Sequence, residues 1–225
     1  MNLRRSLLKL LAVAGIFGPA GMTGLIRDAL ARGNDPVPPG LHKATGDVRI
    51  NGTPAAVGTL IKPGDTVTTG PGAEAIYVIG QDAFLQRDNS TVSFAAEATK
   101  EFMRVVTGRL MSVFGRGDKR ITVSTATVGI RGTGCYIEDE PYKDGRRTYF
   151  CLCYGTVDLE PTVAPQERET YTTRQHDKPM YVFDDMKMPK MMVPASVINH
   201  TDLELTMLEN LVGRWPPFHG SGVKY

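Results

Sequence analysis

The sequence predicts an all-β domain followed by one short amphipathic helix near the C-terminus. Three observations carry this reading. Short runs rich in β-branched and aromatic residues follow one another through the middle of the chain, turn residues separate them, and a helical repeat occurs late. The 24 glycines and 15 prolines among 225 residues suit short strands joined by many turns. That length is enough to bury one core of ordinary size.

The first element is a targeting segment outside the fold. In "MNLRRSLLKLLAVAGIFGPAGMTGLIRDALARG" a basic start (Arg4, Arg5, Lys9) precedes a weakly apolar stretch and then Ala29-Leu30-Ala31, the three-part layout of a cleavable signal. Arg4-Arg5 followed by Ser6-Leu7-Leu8-Lys9 resembles a twin-arginine export signal. Cleavage after Ala31 is expected, so residues 1–31 are the signal and the mature chain is periplasmic or otherwise exported. Gly15, Gly18, Pro19, Gly21 and Gly24 would make a poor membrane anchor, so no stable transmembrane segment is expected after signal removal. Residues 32–45, beginning "RGNDPVPPGL", are expected to be a flexible Pro/Gly-rich spacer.

The β-domain is expected over residues 46–183. Its runs are "DVRING", "AVGTLI", "DTVTTG", "EAIYVIG", "AFLQRD", "TVSFA", "FMRVVTGRLMSVFG", "KRITVSTATVGIRG", "GCYIEDE", "TYFCLCYGTVDLE" and "ETYTTR". Alternation marks several of them: Ile121, Val123, Thr125 and Thr127 share one parity, and Tyr149, Cys151, Cys153 and Gly155 another. "KPGD", "TGPGAE", "GRGDKR" and "YKDGRR" supply the turns. Residues 184–225 form a Met-rich loop, the helix and an extended tail. The helix is marked by Thr201 as N-cap, Glu204 three residues on as a capping box, and Asp202 in the first turn. Leu205, Leu208, Leu211 and Val212 form its apolar stripe, and Gly213 stops it.

The order of the runs resembles the FecR domain family. The "VTTGPGAEAIYVIG" entry, the "VVTGRLMSVFG" strand, the "ATVGIRGT" segment and the final "YGTVDL" strand carry the likeness over about residues 46–160. The resemblance implies a β-sandwich or β-solenoid-like domain facing the cell envelope, without enzymatic activity and with other envelope proteins as partners. The family's best-known member is a membrane-anchored sensor that signals to a sigma factor. From the short stretch ahead of the apolar segment, no cytoplasmic sigma-binding region is expected here.

Charge excludes one class of partner. With 26 basic against 24 acidic residues and a formal net charge of +2, and with no basic cluster interleaved with aromatics, the chain has no nucleic-acid footprint. No Ser/His/Asp set or carboxylate pair suggests hydrolysis, and the protein is read as a non-enzyme.

The chemistry concentrates in three cysteines. Cys151 and Cys153 lie at i and i+2 on one expected strand and so face the same way. "EDEPYKDGRR" reads as a hairpin loop, which makes the Cys135 strand their neighbour. Three outcomes are open: buried core thiols, a disulfide from Cys135 to Cys151 or Cys153, or a metal site. Thiolates select zinc, Cu(I) or iron–sulfur centres. Export in the folded state would let such a site fill in the reducing cytoplasm, and that favours the metal reading. His176 is the first candidate for a fourth ligand and His200 the alternative, with Asp177 expected to orient the His176 ring. The function expected is an exported binding or sensor module with a Cys135–Cys151–Cys153–His176 site. The alternative is an envelope scaffold with one disulfide.

Overall fold

The computed structural model describes residues 35–96 and 101–220. The expected export signal, with Arg4, Arg5, Ala29 and Ala31, lies outside the described residues. Within them the chain forms the strands β1 (Gly40–Thr45), β2 (Val48–Ile50), β3 (Thr53–Pro54), β4 (Thr66–Thr69), β5 (Glu74–Ile79), β6 (Asp82–Gln86), β7 (Ser90–Phe94) and β8 (Glu101–Val113). They continue as β9 (Asp118–Thr122), β10 (Ala126–Tyr142), β11 (Gly145–Pro161), β12 (Glu169–Thr173), β13 (Met180–Phe183) and β14 (Met192–Pro194). A single turn of 3-10 helix, Pro165–Glu167, precedes β12, and the α-helix α1 spans Asp202–Leu211.

All strands belong to one hydrogen-bonded sheet that curls into a barrel core with extra strands, rather than to a sandwich or a solenoid. The reason is strand length. β8, β10 and β11 run for 13, 17 and 17 residues, and each changes partner part-way along. β10 pairs with β9 through Thr127–Arg131 and with β8 through Gly134–Asp139. β8 also pairs with β9, in parallel, which closes the loop of neighbours. β11 follows β10 throughout, pairing with β13 at one end and β12 at the other.

The change-over needs glycine. The β10–β11 register shifts around Gly134, where a Cβ would lie 2.4 Å from the Tyr154 ring. Opposite, Gly155 has φ +98°, and its Cβ would meet Thr133 at 2.6 Å. An L side chain fits neither position.

The sheet buries both faces, and strand parity decides which residue serves which. One core, inside the barrel, contains Tyr77, Phe84, Val105, Leu110, Cys135, Ile137, Phe150 and Leu152. The other lies under α1 and contains Ile76, Val78, Leu85, Met111, Val113, Tyr136, Tyr149, Cys151 and Cys153. From α1 it receives Leu205, Met207, Leu208 and Leu211. The helix starts as expected: Thr201 Oγ1 accepts from the Glu204 amide at 3.3 Å, and Glu204 Oε2 accepts from the Thr201 amide at 3.0 Å. Gly213, at φ +74°, follows its end.

Four local expectations are corrected. The "spacer" contains β1, which pairs with β5, and Val37, whose amide donates to the Leu211 carbonyl at 2.8 Å. "AVGTLI" is a loop, because Gly58 at φ +91° turns the chain and leaves Val57 and Leu60 exposed. "KRITVSTATVGIRG" is two strands, split where the Val123 amide donates to the Ala126 carbonyl at 2.9 Å. "EDEPYKDGRR" is mostly strand; only Lys143 and Asp144 turn, with Lys143 at φ +52°.

Candidate metal centre

Four side chains from three chain segments converge beneath the start of α1. Cys151 and Cys153 come from β11, His176 from the turn after β12, and His200 from the residue preceding the helix cap. Their ligand atoms all lie within 4.8 Å of one another, and all four residues are buried. Cys151 Sγ is 3.4 Å from His176 Nδ1, and His176 Nδ1 is 3.0 Å from His200 Nε2.

Local backbone conformation places each group. Cys151 and Cys153 share a face because they are two apart on an extended strand, as the spacing predicts. His176 sits at φ +53°, a left-handed conformation held by its amide donating to the Cys153 carbonyl at 3.0 Å. Asn199, at φ +55°, turns the chain so that His200 points inward. The His200 ring then stacks on Tyr136 with centroids 4.6 Å apart. Tyr149 steadies the same segment: its hydroxyl donates to the Ser196 carbonyl at 3.0 Å and accepts from the Ile198 amide at 3.3 Å.

The outer nitrogen of each imidazole is committed. His200 Nδ1 is 2.5 Å from the Ile198 carbonyl oxygen, which can only accept, so Nδ1 carries the proton. His176 Nε2 is 2.9 Å from Asp202 Oδ1, and the Gln175 amide donates to the other Asp202 oxygen at 2.8 Å. That pattern fits a carboxylate accepting from Nε2–H. With both imidazoles neutral in these tautomers, the two inner nitrogens would present lone pairs to each other at 3.0 Å. Two lone pairs at that distance repel unless a proton or a cation sits between them.

The thiols are polarised unequally. The Cys151 thiol is held far below its usual range, first by the hydrogen bond from the Cys153 thiol and then, against burial, by His176 and His200. Cys153 is pushed well up by burial and by the neighbouring Cys151 sulfur. Burial alone would lower the His176 imidazolium. Hydrogen bonds to Cys151 and Asp202 outweigh it, and the net direction is up.

The donor set matches a single tetrahedral ion. With Zn–S of about 2.3 Å and Zn–N of about 2.0–2.1 Å, a tetrahedron places two sulfurs about 3.8 Å apart and two nitrogens about 3.4 Å apart. The His176–His200 and Cys151–His176 separations lie within a few tenths of an ångström of such a tetrahedron, and all the ligand atoms lie within 4.8 Å of one another. A two-iron cluster would carry each ligand pair on a separate iron and so require a wider pocket. The donor chemistry is that of a Cys₂His₂ site, with soft thiolates and borderline imidazoles.

Of the residues expected from sequence, the structure brings together Cys151, Cys153, His176 and His200. Cys135 is not with them. It pairs with Leu152 across the β10–β11 ladder and points into the barrel, where burial pushes its thiol up. Its place is taken by His200, the alternative ligand. Opposite faces also put the alternative, a Cys135 disulfide, out of reach, and all three thiols are free. Asp177 does not orient His176; its carboxylate accepts from the Arg174 and Gln175 amides at 2.7 and 3.3 Å and caps the turn. Asp202 does that work instead. From sequence Asp202 reads only as a first-turn acid, because its partner His176 lies 26 residues away.

No family model and no curated protein matches the sequence. Among solved structures, two crystal structures of a "putative anti-sigma factor" from Parabacteroides distasonis ATCC 8503, at 1.65 and 2.50 Å resolution, are similar to this chain. Each match has 9% identity and a TM-score of 0.46, over 58% of this chain and 59% of that one. The chain thus aligns with less than two thirds of their length.

Proposed function

We propose that this protein is an exported, non-enzymatic binding or sensor module of the FecR type, and that Cys151, Cys153, His176 and His200 hold one zinc-class ion. A single observation carries the metal reading: two imidazole nitrogens face each other at 3.0 Å beside two sulfurs, with their outer nitrogens already donating to an acceptor. Charge favours a divalent ion. Two thiolates neutralise Zn²⁺, whereas Cu(I) would leave a net negative charge buried beside the Asp202 carboxylate.

Four buried protein donors leave no open position for a substrate, which supports a holding role over catalysis. Export by a twin-arginine route, with the chain already folded, would allow loading before the thiols meet an oxidising compartment. The FecR assignment rests on "ATVGIRGT" and the strand ending "YGTVDL". Interaction with other envelope proteins belongs to the same proposal.

Elemental analysis of the purified full chain tests the metal reading. One equivalent of zinc is expected, lost in Cys151→Ser and in His200→Ala and kept in Cys135→Ala. Metal-free protein that takes up no zinc under reducing conditions would overturn it.

A further inference from the structure

We propose that the ion is the clasp of a hinged flap: bound, it fastens α1 over an apolar face of the sheet; removed, it lets the first half of α1 lift away. This rests on the metal reading above and adds to it what the ion controls.

The clasp is visible in how the ligands are distributed. Cys151 and Cys153 belong to β11, in the middle of the sheet. His200 lies two residues before the start of α1. Asp202, the first residue of α1, grips His176 through Nε2 at 2.9 Å. One ion would therefore tie the helix start to the sheet twice, directly through His200 and indirectly through His176 and Asp202.

What the flap covers is strongly apolar. Leu205, Met207, Leu208 and Leu211 close over Ile76, Val78, Ala83, Leu85, Met111 and Val113. The helix itself has only 10 residues, shorter than the roughly 12–15 that an isolated helix needs to be even marginally stable in water. It is helical because it is docked. Leaving the sheet and losing the helix are then one event.

The polar ties at the far end of the helix involve no candidate ligand and define the hinge. Glu209 accepts from the Tyr154 hydroxyl and, at 2.6 Å, from Arg214 Nε. Arg214 in turn donates to the Gln81 carbonyl at 2.8 Å, and the Val37 amide to Leu211. Near the cap Arg87 donates to Glu204 at 2.8 Å and to the Asn199 carbonyl at 2.9 Å, and Asn199 donates to Glu138 at 2.8 Å, so the ion is one of several ties there. Because only the cap end also carries ligands, loss of the ion loosens that end first, and opening runs from His200 toward Glu209.

Hydrogen–deuterium exchange on the full chain tests this, comparing protein carrying one equivalent of zinc with protein stripped by a chelator under reducing conditions. Protection over residues 199–208 should fall at least about tenfold on stripping, while β10 and β11 change less than about twofold. Binding of a dye specific for exposed apolar surface should rise in parallel, and zinc should reverse both. Stoichiometric zinc binding with unchanged protection over 199–208 overturns the clasp and leaves the metal site standing. Protection lost equally from β10 and β11 also overturns it, since the ion would then hold the whole domain. Failure to bind zinc overturns both proposals.

Discussion

Replacing Asp202 with Asn separates the orienting carboxylate from its neighbours. The substitution keeps shape and one acceptor oxygen but removes the charge that faces His176 Nε2 at 2.9 Å. A neutral amide holds the ring less firmly and makes Nδ1 a poorer donor to metal. Loss of such an outer partner lowers metal affinity about 10- to 100-fold, or about 1.4–2.8 kcal/mol. Asp202 also lies in the first turn of α1, so the metal-free protein should lose about 0.3–1 kcal/mol more through the helix dipole. A zinc competition titration against a chromophoric chelator measures the first quantity, and urea unfolding of the metal-free chain the second. Asp177→Asn is the internal control, because Asp177 caps the preceding turn and should leave affinity unchanged. If Asp202→Asn binds zinc within about threefold of the parent while Asp177→Asn weakens it, the assignment of the orienting carboxylate is wrong.

Other changes probe the frame around the site. Cys135→Ala should retain full metal stoichiometry and destabilise only by about 1 kcal/mol, as a small truncation in the barrel core; loss of metal in this variant would refute the face assignment. Gly134→Ala forces a Cβ to within 2.4 Å of the Tyr154 ring, and a drop in thermal midpoint well beyond that of Cys135→Ala is expected. Thr201→Ala removes the acceptor for the Glu204 amide and should cost about 0.5–2 kcal/mol, read by urea unfolding of the metal-free protein. An unchanged midpoint there would mean that the cap does not hold the helix.

How far the sequence reached depended on whether a feature is local. The capping box at Thr201 and the shared face of Cys151 and Cys153 follow from backbone periodicity, and both were readable in advance. The side taken by Cys135 was not, because it depends on the β10–β11 register, and that shifts at the bulge around Gly134. Asp202 was hidden for a related reason. Nothing near it in sequence shows that His176, twenty-six residues earlier, folds back to its carboxylate. β1 was missed because its pairing partner, β5, lies some thirty residues away and Pro/Gly content masked the strand.

The two-faced character of β11 makes the turn at Lys143–Asp144 a coding element. Read outward from that turn, alternate residues address alternate compartments: Tyr149, Cys151 and Cys153 the metal side, Phe150 and Leu152 the barrel. Insertion or deletion of one residue there, with pairing re-formed one step along, would turn Phe150 and Leu152 toward His176 and His200 and bury both sulfurs among aromatics. The chain can vary the residues of that turn far more readily than their number, so the length of a surface hairpin guards the chemistry of a buried site.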